Sequence, residues 1–202
     1  MANGPVLTFS SLTPPLMAEL HTVLRGSFGA SCWCMQPRLT DEQLHALPGG
    51  GSLSERRRVA MTSLAGRDCA PGLLAFEGAE PVGWIAVAPR SGLARVEASR
   101  ATPRVDELDV WVIPCITVRK NARRRGIALA LIRAVVTFAA EHGAAAVEAY
   151  PRAGAARTAD DNIYFGIEPL FRRAGFQVVR EPLANRPKNA IPRLAMRIAT
   201  EP

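Results

Sequence analysis

The stretch from Asp109 to Tyr150 constrains this chain most, because it reads as strand, glycine loop, helix and strand without interruption. Residues 108–118 are apolar and rich in β-branched side chains, which predicts a long strand ending at Val118. From 127 to 142 an apolar face recurs at helical spacing through Ile127, Leu131, Ala134, Val135, Phe138 and Ala139, and Gly143 stops it. At about 1.5 Å per residue that helix is roughly 24 Å long. Residues 145–150 form another strand, and two strands joined by a crossover helix favour parallel pairing.

Between the first strand and the helix lies Arg123-Arg124-Arg125-Gly126-Ile127-Ala128. Three guanidinium groups and one backbone-permissive residue fall where a helix presents its free N–H groups. A diphosphate would be held there by backbone donors, helix dipole and positive charge together. The dinucleotide fingerprint G-x-G-x-x-G is absent, and Gly126 is followed by Ile127-Ala128 where a Walker loop has Lys-Ser or Lys-Thr.

The flanking sequence supplies the rest of a mixed α/β fold around one sheet. Val6 to Phe9 is a short strand, and Pro14-Pro15 opens a helix facing the core through Leu16, Leu20, Val23 and Leu24. Ser31 to Met35 reads as a strand with Cys32 and Cys34 on one face and Trp33 and Met35 on the other. A short helix starts at Thr40 and is stopped by 48–51. Ser52 and Glu55 form a capping box for a helix through Val59, Ala60 and Leu64, whose arginines 56–58 read as a solvated face. Leu73–Phe76 and Pro81–Ala88 pair as a hairpin across a polar turn. Residues 89–103 read as a surface excursion and a cleft wall, and 154–161 as a loop. A helix over 168–174 and strands at 176–180 and 193–198 close the chain.

One domain spanning 1–202 is expected from 202 residues at 48% hydrophobic content. Apolar runs are broken well before the roughly 20 residues that cross a bilayer, and the N-terminus lacks a signal pattern, so a cytoplasmic protein with no membrane partner is expected. Cys32, Cys34, Cys69 and Cys115 form no zinc set, and His21, His45 and His142 sit beside no other ligand at metal spacing; no metal site is expected, and the thiols read as reduced and partly buried. The net charge of +7 rests almost wholly on arginine, since Lys120 and Lys188 are the only lysines. The charge peaks locally at 56–58 and 123–125 with no nucleic-acid motif beside it, which argues against DNA or RNA as partner.

The pattern Arg123-x-x-Gly126-x-Ala128, after a strand and before an amphipathic helix, resembles the acetyl-CoA motif Gln/Arg-x-x-Gly-x-Gly/Ala of the GCN5-related N-acetyltransferases. The later Leu170-Phe171-Arg172-Arg173-Ala174-Gly175-Phe176 resembles the helix-to-strand segment ending in Gly-Phe in that family, and both motifs come in family order. The resemblance covers about residues 70 to 200, while Cys32-Trp33-Cys34-Met35 and residues 71–75 look like an uncharacterised branch. It implies the acyl-CoA N-acyltransferase fold: one mixed, mostly antiparallel sheet flanked by helices, with a splayed parallel central strand pair. It implies acetyl-CoA as cofactor, its pyrophosphate on the backbone of Arg123, Arg124, Arg125, Gly126, Ile127 and Ala128 and its pantetheine arm along Val118.

The activity so implied is acetyl transfer to a primary amine, most simply a small molecule, by direct attack in a ternary complex. The enzyme would be a monomer or homodimer. Attack needs a neutral amine within about 3 to 3.5 Å of the carbonyl and a donor for the developing oxyanion. Glu107, Asp109 and Glu148 are the candidate bases, each also readable as a strand-edge or solvated charge. The family's thiolate-protonating tyrosine falls at Phe171, which cannot donate, leaving Tyr164 or Tyr150 as substitutes. Cys115, with no histidine adjacent in sequence, reads as buried and inert. Two other readings stay open: an acyl-CoA-binding regulatory protein without turnover, supported by Phe171, and an arginine-rich nucleic-acid binder.

Overall fold

The computed structural model describes residues 6–27, 29–153, 165–185 and 191–200. Edge strand β1 (Leu7–Ser11) pairs antiparallel with β2 (Gly72–Glu77), which turns through Gly78-Ala79 into β3 (Glu80–Pro89). β3 pairs antiparallel with β4 (Trp111–Val118), and β4 runs parallel to β5 (Ala146–Ala149). Strands β6 (Gln177–Arg180) and β7 (Ala195–Ala199) complete a seven-stranded sheet in the order β1-β2-β3-β4-β5-β7-β6. Four helices lie between β1 and β2: α1 (Met17–Leu24), α2 (Gly29–Cys32), α3 (Asp41–His45) and α4 (Leu53–Ala65). α5 (Ala94–Glu97) follows β3, α6 (Ile127–Glu141) crosses from β4 to β5, and α7 (Glu168–Arg173) precedes β6. This is the mixed, mostly antiparallel sheet with one parallel pair that the sequence predicts.

The two sheet faces are covered by different helices. α6 buries Ile127, Leu131, Val135 and Phe138 against Ile85, Ile113 and Val147. Gly83 on β3 makes the approach possible, since a Cβ there would lie 2.8 Å from Leu131 Cδ1. On the other face Leu20 and Leu24 of α1 and Met61 of α4 pack around Leu74 and Trp84. The predicted capping box of Ser52 with Glu55 is formed, and the structure adds a second, Thr40 with Gln43, at the start of α3. No helix of the described residues is long and apolar enough to cross a membrane.

β4 carries the irregularity that matters. Ala86 pairs with Cys115, yet Ala88 pairs with Val112, so Val87 stands opposite both Ile113 and Pro114. This is a bulge, and Pro114, having no N–H, is tolerated at one. The extra residue swaps the faces of the strand: Trp111 and Ile113 face α6 before it, whereas Cys115 joins Trp84 on the opposite side after it. Pairing with β5 ends at Ile113 with Ala149. Beyond that point β4 keeps β3 on one edge and, β5 having ended at Ala149, has no strand partner on the other among the described residues.

Three expectations are corrected. Ser31–Met35 is not a strand: α2 ends at Cys32, and Trp33 and Cys34 both take left-handed backbone angles, φ 50° and 52°. A short apolar run is shared by strands and buried helical turns, so alternation alone chose wrongly. Residues 89–103 are no loose excursion, because Leu93, Val96 and the Arg90 guanidinium are buried there. Arg56 and Arg57 are not merely solvated: they donate to the carbonyls of His45, Leu47 and Ser31 and tie α4 to the preceding turns. The loop predicted at 154–161 lies outside the described residues.

Candidate functional site

The opening of β4 from β5 leads into a cavity of about 850 Å³, within the roughly 300–1,000 Å³ range of small-molecule sites. One wall is Cys115–Val118 of β4, another is the start of α6, and Pro169, Leu170 and Arg173 of α7 close the side where β5 would otherwise pair. The turns around Gly26–Pro37 form the remaining wall, with Cys32, Cys34 and Gln36 among the residues lining it.

At the start of α6 a glycine turn leaves the first helical N–H groups outside the helix ladder. A 3-10 turn over Lys120–Ala122 follows β4, Arg123 Nε donates back to the Val118 carbonyl at 3.2 Å, and Arg124 and Gly126 take left-handed angles, φ 63° and 82°. Gly126 is the N-cap and brings no side chain to satisfy the helix. The first helical hydrogen bond is from Ala130 N–H to the Gly126 carbonyl at 3.0 Å, so the N–H groups of Ile127, Ala128 and Leu129 precede the ladder. All three residues line the cavity, together with Arg123, Arg124 and Gly126. A Cβ on Gly126 would meet no protein atom within 4 Å, so the space over the loop is open. Free donors, helix dipole and nearby cations fit a diphosphate.

The sequence-selected cofactor residues therefore converge, with one difference of detail. Val118, Arg123, Arg124, Gly126, Ile127 and Ala128 line the cavity, whereas the Arg125 guanidinium pairs with Glu77 on β2. The catalytic candidates do not converge on it. Glu107 and Asp109 are exposed and precede β4, and Asp109 approaches only Arg104, at 3.8 Å. From Trp111 to Thr117 alone is about 20 Å at roughly 3.3 Å per residue. Tyr164 lies outside the described residues.

Glu148 and Tyr150 belong to a buried network on the sheet face opposite α6. The Glu148 carboxylate accepts from Arg197 Nη2 at 2.6 Å and Nε at 2.9 Å, and from the Tyr150 hydroxyl. Arg90 donates to Tyr150 as well, to Glu97 Oε2 at 2.9 Å and to the carbonyls of Val96 and Thr102. Burial, followed by the Glu148 charge, pushes the Tyr150 phenol well above its ordinary pKa. The hydrogen bond from Arg197 holds the exposed Asp106 carboxyl below the usual carboxylate range. Phe171 is fully buried and meets Phe176 edge-on, ring centroids 5.2 Å apart.

Sequence reasoning missed the wall from Gly26 to Pro37. Its signal was the Cys-x-Cys spacing itself, but the two left-handed residues that aim Cys34 at the sheet are invisible without backbone angles. Arg38, just beyond, sends Nη2 to the carbonyls of Pro71 at 2.8 Å and Val87 at 3.1 Å, so it grips the residue opposite the bulge.

A mixed sheet with a bulged central strand, one parallel pair and a glycine-capped crossover helix beside the cavity is consistent with the acyl-CoA N-acyltransferase fold. The chain belongs to the acetyltransferase (GNAT) family, whose model matches residues 38–160. Among solved structures it resembles an N-acetyltransferase from Staphylococcus aureus Mu50, at 11% identity and a TM-score of 0.55, covering 97% of this chain and 99% of that one. It resembles a GNAT-family acetyltransferase from Streptococcus pneumoniae at 16% identity and TM-score 0.53, covering 97% and 100%. The PaiA N-acetyltransferase from Thermoplasma acidophilum, solved in complex with coenzyme A, aligns at 12% identity and TM-score 0.54, covering 96% and 99%. At these identities the likeness is one of fold. No curated protein sequence matches the chain.

Proposed function

We propose that the chain is an acetyl-CoA-dependent N-acetyltransferase, one catalytic unit over residues 1–202, acting on the primary amine of a small molecule by direct attack in a ternary complex. The observation that carries this reading is the continuity of the cavity from the free N–H groups of Ile127–Leu129 along the unpaired edge of β4 to Cys115. Coenzyme A has the matching shape, a diphosphate followed by an extended arm, and acetyl-CoA when bound would supply an activated thioester. Arg123, Arg124 and Lys120 add charge at the diphosphate end, and the Val118 stretch offers backbone groups to the arm.

On the acceptor side the cavity lining, among the described residues, carries no carboxylate. Glu148 is engaged by Arg197, and Glu107 and Asp109 stand at the other end of β4. The reading therefore sends the amine's proton to solvent, and keeps Tyr164 as the hydroxyl that would protonate the departing thiolate. The test is incubation with acetyl-CoA and a panel of amines, read by release of free thiol. Turnover is expected for at least one small amine, with a rate that rises with pH through that amine's own pKa. A saturable acetyl-CoA complex with no thiol release across the panel would favour the regulatory binder instead.

A further inference from the structure

Two thiols meet at the acceptor end of the cavity in a setting the transfer reaction does not use. Cys34 and Cys115 are 1% and 7% exposed, both line the cavity, and both belong to the buried cluster around Trp84. Their juxtaposition follows from the register: Trp84 pairs with Thr117 and Ala86 with Cys115, so Trp84 is a diagonal neighbour of Cys115, and its Nε1 donates to Cys34 Sγ at 3.2 Å. Cys34 reaches that point with it and Trp33 both in left-handed angles, a conformation that side-chain-bearing residues enter only with strain. Strain of this kind collects where a side chain must be aimed.

A buried cation faces the pair. Arg38 is 7% exposed; its Nη2 donates to two neutral carbonyls, and among the described residues its Nε has no hydrogen-bond partner. Burial pushes its pKa down to about 10, opposed by Cys34, Cys115 and Cys69. The neighbouring Cys115 and burial hold the Cys34 pKa well above its ordinary value, so Cys34 stays a thiol and suits the resolving step, while the cavity gives a small oxidant access.

We infer that Cys34 and Cys115 are an oxidation site for a hydroperoxide, closing to a disulfide that stops acyl transfer. Cys115, the more accessible, attacks the peroxide O–O bond; its sulfur becomes a sulfenic acid and water leaves once the departing hydroxide takes a proton. The Cys34 sulfur then attacks the sulfenic sulfur, forming the S–S bond and expelling a second water. Two electrons pass from the two sulfurs to one hydrogen peroxide, and thiol reductant reverses the change. The bond straps the Cys34 turn to β4 about 10 Å along the strand from Val118, at roughly 3.3 Å per residue, where an acceptor enters; the phosphate loop is left free.

The experiment treats the reduced full chain with hydrogen peroxide, alkylates the remaining thiols and maps the digest by mass spectrometry with fragmentation. The expected product is a crosslink between Cys34 and Cys115, removed by dithiothreitol, absent in C34S and C115S, and retained in C69S. Both cysteines alkylated after Cys69 has oxidised, or a link confined to Cys32 and Cys34, would overturn the proposal; the unsubstituted protein decides this even if a variant fails to fold. The loss of transfer rests on the transferase reading: the oxidised protein should keep its coenzyme A affinity and lose thiol release. A crosslink in a protein that never turns over would reject that reading and leave the thiol chemistry standing.

Discussion

Replacing Gly126 with valine should lower the affinity for coenzyme A on the order of 100-fold while the protein still folds. Two effects act at this position. Gly126 sits at φ 82°, a region that a β-branched residue enters only with strain of about 1–2 kcal/mol, paid in folding. The new side chain would also project into open space over the loop, since nothing of the protein lies within 4 Å of a Cβ there. It would hold a phosphate away from the N–H groups of Ile127–Leu129. Losing one or two hydrogen bonds to a charged group, at about 1.5–3 kcal/mol each, accounts for the drop. Gly143 provides the control: it has φ 79°, equally open surroundings, and stands just past the other end of α6. G143V should shift the melting temperature about as much as G126V and leave coenzyme A titration unchanged. Equal affinity in G126V and the parent protein would reject the phosphate-loop assignment.

The largest stability loss is expected at Glu148. Glu148→Ala should destabilise the fold by about 3–5 kcal/mol in denaturant titration, because it strands buried partners of a charge that is itself 1% exposed. Tyr150 would lose its carboxylate acceptor beside Arg90, and Arg197 would keep only Asp106, at 2.8 and 2.9 Å. The same variant separates two roles that the sequence left open. If Glu148 holds β5 and β7 together, as its 2.6 Å pair with Arg197 suggests, the folded fraction should keep turnover within a few-fold. A catalytic base would show the reverse, a loss of about 100-fold or more in kcat with the midpoint unmoved.

The legible parts of this chain are those whose information is local. The helix over 127–141, the hairpin from 72 to 89 and the Ser52 capping box follow from period, turn residues and caps within a few positions of one another. The glycine turn that starts α6 was legible for the same reason, since Gly126 and the helix it caps are contiguous. What escaped depends on partners far away in sequence. The bulge at Pro114 exists only relative to Val87 on β3, and the opening it precedes is defined by where β5 stops pairing. Glu148 looked like a candidate base because Arg197, 49 positions away, cannot be paired with it from spacing. Glu107 and Asp109 looked near the cleft because they are near β4 in sequence, but a strand has two ends. The cysteine wall was lost to a wrong period: alternation in Ser31–Met35 belongs to a helical turn followed by two left-handed residues.

The central proposition is that one cavity takes a diphosphate at the head of α6 and an extended arm along the opened edge of β4. Calorimetric titration with coenzyme A and, separately, with 3′-phosphoadenosine 5′-diphosphate addresses it directly, because the second ligand has the phosphates without the arm. Coenzyme A should bind at one site and at least about tenfold more tightly, the margin coming from the arm. Equal affinity for the two, or no saturable coenzyme A complex, would contradict the account.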